Sequence, residues 1–265
     1  KKLAFELFNK ISDLNNVYHL SSLMCPAHRS EIIKQIKIDL KSKKTCRVIS
    51  TQLIEAGVDI DFSVVYRSIA GIDSIAQAAG RCNREGKLSN GIVNVFSPEN
   101  GTPPGFLRKS AEIAEIVLGH HTDALSLESV EEYFKRLYHD SDLDKFKIIQ
   151  ELNCSVPELD FSFRKIAQQF QMIRNDTKTI IIPWGEDGRK RVDALRACFV
   201  ETKDILRSLQ RYTIQIHPQS LERIKDNFEI IKDQYLVLNN MNIYNEATGL
   251  NLSTEINYSI EDLII

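Results

Sequence analysis

The side chains in this sequence best suited to phosphate chemistry fall in two short stretches. The first runs Ser50, Thr51, Gln52, Leu53, Ile54, Glu55, Ala56, Gly57, Val58, Asp59, Ile60, Asp61, directly after an apolar run that ends at Ile49. Ligands of open parallel sheets gather at the carboxyl ends of strands. A Ser-Thr pair there, opening a short helix, offers hydroxyls and unpaired backbone N–H groups to a phosphate. Gly57 permits a sharp turn, and Asp59 follows as an acceptor for a ribose hydroxyl. A plainer reading stands beside this one, in which Ser50 or Thr51 caps a helix that Gly57 ends.

The second stretch is Gln77, Ala78, Ala79, Gly80, Arg81, Cys82, Asn83, Arg84. On a helix, positions 77, 81 and 84 share one face. Gln77, Arg81 and Arg84 would then converge without an evident acidic partner and require a counter-anion. A nucleotide γ-phosphate fits, because the planar guanidinium fork grips phosphate oxygens with two parallel bonds. An arginine so placed stabilises the charge that develops in phosphoryl transfer, an effect typically worth ~10³–10⁵ in rate. The plainer reading is a solvated stripe. Two such stretches, each beside a strand end, favour the phosphate site.

The elements that must position these residues show in the apolar periodicity. Leu3, Leu7 and Ile11 mark one helical face, and Val17 to Leu20 reads as a short buried strand. Pro26 opens a helix through Ile32, Ile33, Ile36 and Leu40, where proline's missing N–H is harmless. Strands are expected at Cys46–Ile49, Ser63–Tyr66 and Ile92–Phe96, and a helix at Ile72–Ala79. Short apolar strands alternating with helices predict an α/β fold, a parallel sheet with helices on both faces. The proline-rich segment 98–105 reads as a boundary loop. Residues 106–150 read as helical throughout. Beyond them, helices at Phe163–Ile173 and Ser220–Phe228 mix with strands at Thr179–Ile182, Tyr212–Ile216 and Tyr235–Leu238, which predicts a smaller α+β unit.

Composition narrows the class. The chain has 265 residues, 43% hydrophobic and 26% charged, with 34 Lys+Arg against 36 Asp+Glu and a net charge of −2. This excludes a disordered or collagen-like chain and a globally basic nucleic-acid coat, but not a local basic groove. No apolar run approaches the ~18 residues needed to span a bilayer, so no membrane association is expected. Lys1 and Lys2 precede an amphipathic stretch rather than a signal peptide. The five cysteines, Cys25, Cys46, Cys82, Cys154 and Cys198, are scattered and odd in number, so neither a disulfide framework nor a zinc site is suggested. Reduced thiols and a cytoplasmic location are the expectation.

With these residues in view, a resemblance becomes specific. Thr51, Gln52, Glu55, Gly57 and Asp59, followed by Gln77, Gly80, Arg81 and Arg84, look like motifs V and VI of superfamily 2 helicases. The particular residues Glu55, Asp61-Phe62 and Cys82-Asn83-Arg84 resemble the CRISPR-associated helicase–nuclease of type I interference systems. The stretch His19 to Arg29 resembles that family's nucleic-acid-contacting loop, and Leu209–Thr213 and Tyr244–Leu250 resemble segments of its C-terminal domain.

The resemblance implies a second RecA-like helicase domain over residues 1–105 with its first strand missing, a helical connector over 106–154, and a C-terminal accessory domain over 155–265. It implies that Arg84 is the arginine finger, Arg81 a second phosphate or interdomain contact, and Gln77 a neighbour of the γ-phosphate and attacking water. Gly57, Asp59 and Gly80 would line the nucleotide edge. Ser22, Thr51 and Arg29 would meet the backbone of single-stranded DNA. The family works with ATP and Mg²⁺, moves 3′→5′, and receives its target from a Cascade-type guide-RNA surveillance complex. No G-x-x-x-x-G-K-[ST] occurs in this sequence. The chain therefore reads as a monomeric fragment with half an ATPase site, inactive alone, with the nuclease metal bound outside it. An RNA helicase of the same superfamily and a non-catalytic docking module are the rival readings.

Other signals carry less. His139-Asp140 and His120-His121-Thr122-Asp123 lack the further ligands a two-metal site needs, so no metal site is assigned. From Arg164 to Arg211 there are 11 Lys/Arg against 6 Asp/Glu, and from Tyr212 to Ile265 there are 3 against 8. That asymmetry suits a C-terminal unit with one face toward DNA backbone. Asp187 and Asp193 flank the densest run, Gly188 to Arg191, so a solvated loop is the equal alternative. Trp184, the single tryptophan, is expected to pack in a core.

Overall fold

The computed structural model describes residues 2–55, 57–99, 101–139, 141–152, 162–170, 177–198 and 203–252. Two compact units result: residues 1–54 together with 176–265, and residues 55–175. The expected junction at 154/155, like Cys154, Asp140 and the end of the helix expected at Phe163–Ile173, lies outside the described residues.

The first unit opens with α1 (Lys2–Ile11), β1 (Val17–Leu20), α2 (Pro26–Lys41) and β2 (Arg47–Ser50). β1 and β2 pair in parallel, Val17 opposite Arg47 and Leu20 opposite Ser50. Of α1, Phe8 is the buried residue and sits 5.5 Å from the His19 ring. Leu3 and Leu7 of the expected apolar face are exposed, since a pair of strands offers little surface for a whole helix face. α2 is pinned at its far end by a buried carboxylate. Asp39 accepts from the Tyr18 hydroxyl at 2.5 Å, from Gln35 at 3.2 Å and from Lys44 at 3.4 Å. Burial, then Asp39, push the Tyr18 hydroxyl up to about 12.

The same unit continues with β5 (Lys178–Ile181), α8 (Gly185–Ala197), α9 (Lys203–Leu209), β6 (Thr213–Ile216), α10 (Pro218–Arg223), β7 (Phe228–Ile231) and β8 (Tyr235–Leu238). These four strands form one sheet in the order β6-β5-β8-β7, with β5 parallel to β8 and the other pairs antiparallel. Successive side chains of a strand point to opposite faces. Ile180 and Ile182 accordingly pack with Cys25, Ala27, Ile214, Ile216 and Leu238, while Ile181 packs with Val192 and Leu195 of α8. The helix expected at Ser220–Phe228 begins earlier and ends sooner. Pro218 starts it, and Phe228 is taken into β7 opposite Leu238.

A hairpin, β9 (Tyr244–Asn245) and β10 (Gly249–Leu250), joins this sheet to the loop before α2. Leu250 N–H donates to Leu23 O at 2.9 Å, and Cys25 N–H donates to the Tyr244 hydroxyl at 3.1 Å. His28, 3% exposed, lies 2.9 Å from that hydroxyl through Nδ1 and 2.7 Å from Glu246 O through Nε2. A carbonyl only accepts, so Nε2 carries the proton and Nδ1 accepts from Tyr244. The ring stacks on Trp184 at 4.6 Å with 17° between planes, which places the tryptophan in a packed environment. Gly249 has φ +82°, and a Cβ there would stand 2.5 Å from Leu23 O.

The second unit contains β3 (Val64–Ser68), α3 (Ile72–Ala79), β4 (Ile92–Phe96), α4 (Phe106–His120), α5 (Leu127–His139), α6 (Ile148–Leu152) and α7 (Phe163–Gln169). β3 and β4 are parallel, Val64 opposite Ile92. The α/β class read from the sequence holds, with the strands paired in small sheets. Ile69, Ile72 and Ile75 form one core with Ala111, Ala114, Val117, Tyr133 and Leu137. The helical run expected over 106–150 breaks between α4 and α5. There Asp123 caps Leu125 N–H at 2.9 Å, and its carbonyl accepts from Ser129 at 2.6 Å.

Gly249→Ala should lose on the order of 2 kcal/mol, from the left-handed φ and the backbone clash together, read as a lowered urea midpoint. A pH dependence is also expected. Burial lowers the pKa of both His19 and His28. Each ring is neutral in the fold and protonates more readily unfolded, so its stabilisation is full above about pH 6.5 and is lost as pH falls below it. The urea midpoint should drop between pH 7.5 and 5.5, and a His19→Gln/His28→Gln variant should show a flatter profile. A flat wild-type profile would contradict this.

Candidate nucleotide and nucleic-acid site

In the unit 55–175, α3 stops before the arginines. Its last residue is Ala79, and Gly80, Arg81 and Cys82 donate their N–H groups to Ala76, Ala78 and Ala79 in a closing turn. Arg81 and Arg84 therefore do not continue the helical face of Gln77, contrary to the sequence expectation. A tertiary pairing displaces the helix. Phe62 N–H donates to Arg81 O at 2.9 Å, Asn83 N–H donates to Phe62 O at 2.8 Å, and Phe62 and Cys82 form a parallel bridge. Asn83 takes φ +49°, a conformation asparagine tolerates better than most residues. Its amide closes the following loop by donating to Leu88 O and accepting from Leu88 N–H.

The arginines also have partners that the sequence did not disclose. Arg84 Nη1 lies 3.1 Å from Asp59 Oδ1, in a pair whose side chains are 43% and 77% exposed. The Arg84 backbone is fixed separately, because Asp61 Oδ1 accepts its N–H at 2.7 Å while Oδ2 lies 3.4 Å from Glu85 N. Arg81 Nη2 donates to Glu55 O at 2.7 Å. Loop 55–61 and segment 81–85 thus form one body. Gly57 has φ +73° with open space around a Cβ, so its glycine is required by the backbone. Gly80 has φ −64°, and a Cβ there would meet only ordinary contacts at 3.5 Å. Gln77 is exposed on α3.

Glu55 and Asp61 entered the motif reading without a role in the site, and Arg67 did not enter it at all. Arg67 had a visible signal, a charge directly after the run Val64-Val65-Tyr66. Burial raises the Glu55 carboxyl, an effect that Arg67 opposes and Asp73 adds to.

The residues expected to meet nucleic acid lie in the other unit. Ser50 ends β2 opposite Leu20, and Thr51 N–H donates to Leu20 O at 3.2 Å. Ser22 and Thr51 thus leave the carboxyl ends of neighbouring parallel strands, where ligands of such sheets collect. The Ser50 hydroxyl is used internally, donating to Thr51 O at 2.8 Å. The Ser22 hydroxyl is buried without a hydrogen-bond partner among the described residues. Arg29, near the start of α2, is half-buried, its pKa is lowered by burial, and no carboxylate pairs with it among the described residues.

Among the described residues no group of three or more His, Cys, Asp or Glu is placed to hold a metal. His120 and His121 both meet Glu132, at 2.9 and 2.7 Å, and Arg136 joins them. These contacts hold the Glu132 carboxyl at about 2 and pin α4 to α5. No described helix is long and apolar enough to cross a membrane.

Residues 2–87 match the family model described as CRISPR-associated nuclease/helicase Cas3, C-terminal. The chain is 37% identical over 95 residues to the CRISPR-associated nuclease/helicase Cas3 of Methanothermobacter thermautotrophicus, covering 35% of this chain and 11% of that protein. It is 68% identical over 37 residues to that of Haloferax volcanii, covering 14% of this chain and 4% of the relative. Its fold is similar to the crystal structure of T. fusca Cas3, with TM-score 0.53 and 16% identity over 89% of this chain and 34% of that one. T. fusca Cas3-AMPPNP gives TM-score 0.52 at 14% identity, with the same coverage. The chain thus spans about a third of the solved chains it resembles, and much less of the curated relatives. Residues 2–87 thus resemble the C-terminal part of the CRISPR-associated nuclease/helicase Cas3 proteins, and the fold of the chain is similar to a portion of the solved ones.

Proposed function

We propose that this chain supplies the second half of the nucleotide site, and part of the DNA track, of an ATP-dependent single-stranded-DNA translocase coupled to a nuclease in CRISPR interference. The observation that supports it most directly is the held but accessible Arg84. Asp61 fixes its backbone, while its guanidinium rests on an exposed carboxylate. An exposed ion pair is worth about 0–1 kcal/mol, so Asp59 orients Arg84 and releases it to a stronger anion at little cost.

In this reading Arg84 is the arginine finger, Arg81 a second phosphate or interdomain contact, Gln77 a neighbour of the γ-phosphate and attacking water, and Gly57, Asp59 and Gly80 line the nucleotide edge. ATP supplies the transferable phosphoryl group, with its Mg²⁺ held chiefly by a first RecA-like domain outside these residues. Relatives have been crystallised as Cas3-ATP and Cas3-AMPPNP, which supports a nucleotide as the anion. Ser22, Thr51 and Arg29 contact the DNA backbone, a sequence-independent mode of binding. The nuclease metal lies elsewhere in the protein. The partner is a Cascade-type guide-RNA surveillance complex, the location cytoplasmic and the working form of this portion monomeric. The segments 1–105, 106–154 and 155–265 are proposed as its second RecA-like domain, connector and accessory domain.

Single-stranded-DNA-stimulated ATP hydrolysis by the full-length protein, wild type against Arg84→Ala, tests the reading. Turnover should fall by roughly 10³-fold or more with DNA binding retained, and residues 1–265 alone should hydrolyse no ATP. Unchanged turnover in Arg84→Ala would remove the nucleotide site and favour a docking module.

A further inference from the structure

The carbonyl that receives Arg81 belongs to a residue that is itself anchored. Glu55 opens a loop with Gly57 in the left-handed region, so neither helix nor strand holds it there. Its carboxylate instead reaches β3, where Glu55 Oε1 lies 2.9 Å from Arg67 Nη2, with side chains 14% and 19% exposed. Arg67 Nη1 donates to Ser68 Oγ at 3.0 Å, which orients the guanidinium from its other side. A buried ion pair adds little net stability over apolar side chains of similar size. Stability therefore does not account for an arginine at the penultimate position of this strand. A guanidinium has five N–H donors in a rigid plane, so fixing one edge sets the direction of the rest.

We propose that Arg67 is a positioning residue for the nucleotide site, fixing Glu55 through its carboxylate so that the Glu55 carbonyl aims the Arg81 guanidinium. The inference rests on the nucleotide reading of Arg81 and Arg84. A misplacement of about 1 Å at a reacting centre can cost roughly a hundredfold in rate, so losing the aim should show in turnover.

DNA-stimulated ATP hydrolysis and melting temperature are measured in the full-length protein for Glu55→Met/Arg67→Met, which removes both charges together. The variant should keep its melting transition, lose roughly ten- to hundredfold in kcat, and change KM for ATP less. In an Arg81→Lys background, which keeps the charge without the fork, the same substitutions should produce no further loss. Arg67→Lys, which leaves no buried charge alone, gives the same cycle with a smaller effect should the paired variant not fold. Unchanged kcat, or an equal loss in the Arg81→Lys background, would overturn the positioning role. Arg84→Ala run alongside separates the two claims. Its loss of turnover with Arg67 variants unaffected defeats the positioning role alone, whereas full turnover in Arg84→Ala defeats the nucleotide reading and the positioning role with it.

Discussion

The chain leaves α3 at Gly80 because residues 81–83 are claimed by a neighbour. Phe62 takes the Arg81 carbonyl and gives its own carbonyl to Asn83, while Asp61 holds the N–H of Arg84. Helix propagation would add about one intrahelical bond per residue, and this pairing satisfies the same backbone groups while also joining two distant stretches. Every later feature of the site depends on that exchange. It carries Arg81 to the Glu55 carbonyl and Arg84 to Asp59, and it leaves Gln77 behind on the helix.

The two ion pairs of this body differ in burial, and their roles differ for that reason. Glu55 and Arg67 are largely buried, where removing one partner leaves an uncompensated charge, so the pair is rigid. Asp59 and Arg84 are exposed, where solvent screens the attraction and the guanidinium exchanges partners readily. A fixed carbonyl for one arginine and a replaceable carboxylate for the other is an arrangement suited to a site that must stay shaped while its anion comes and goes.

In the other unit, the loop before α2 and the hairpin 244–250 are more than two hundred residues apart in sequence but share backbone and side-chain bonds through Leu23, Cys25, His28 and Tyr244. The hairpin 244–250 is therefore structural support for the loop after β1, which contains Ser22. His28 links the two as a neutral ring, both nitrogens occupied and one face on Trp184.

Element types were largely legible in the sequence. Ile72–Ala79, Ile92–Phe96 and Tyr235–Leu238 fall where periodicity puts them, because each carries a strong local pattern in residues that meet their own neighbours. The likeness of the stretches around Thr51, Gly57, Asp59, Arg81 and Arg84 to a known family was legible too, and these residues lie within the segment 2–87 that matches its model. What tertiary structure alone decided is how those residues are held. Local spacing placed Gln77, Arg81 and Arg84 on one helical face without acidic partners. The fold ends the helix at Ala79 and supplies Asp59, Asp61 and Glu55 from an earlier loop, and the start of β7 likewise overrides a local helical pattern at Phe228. In each case a bond between distant residues outweighs a preference between near ones, and such bonds leave no periodic trace in one sequence.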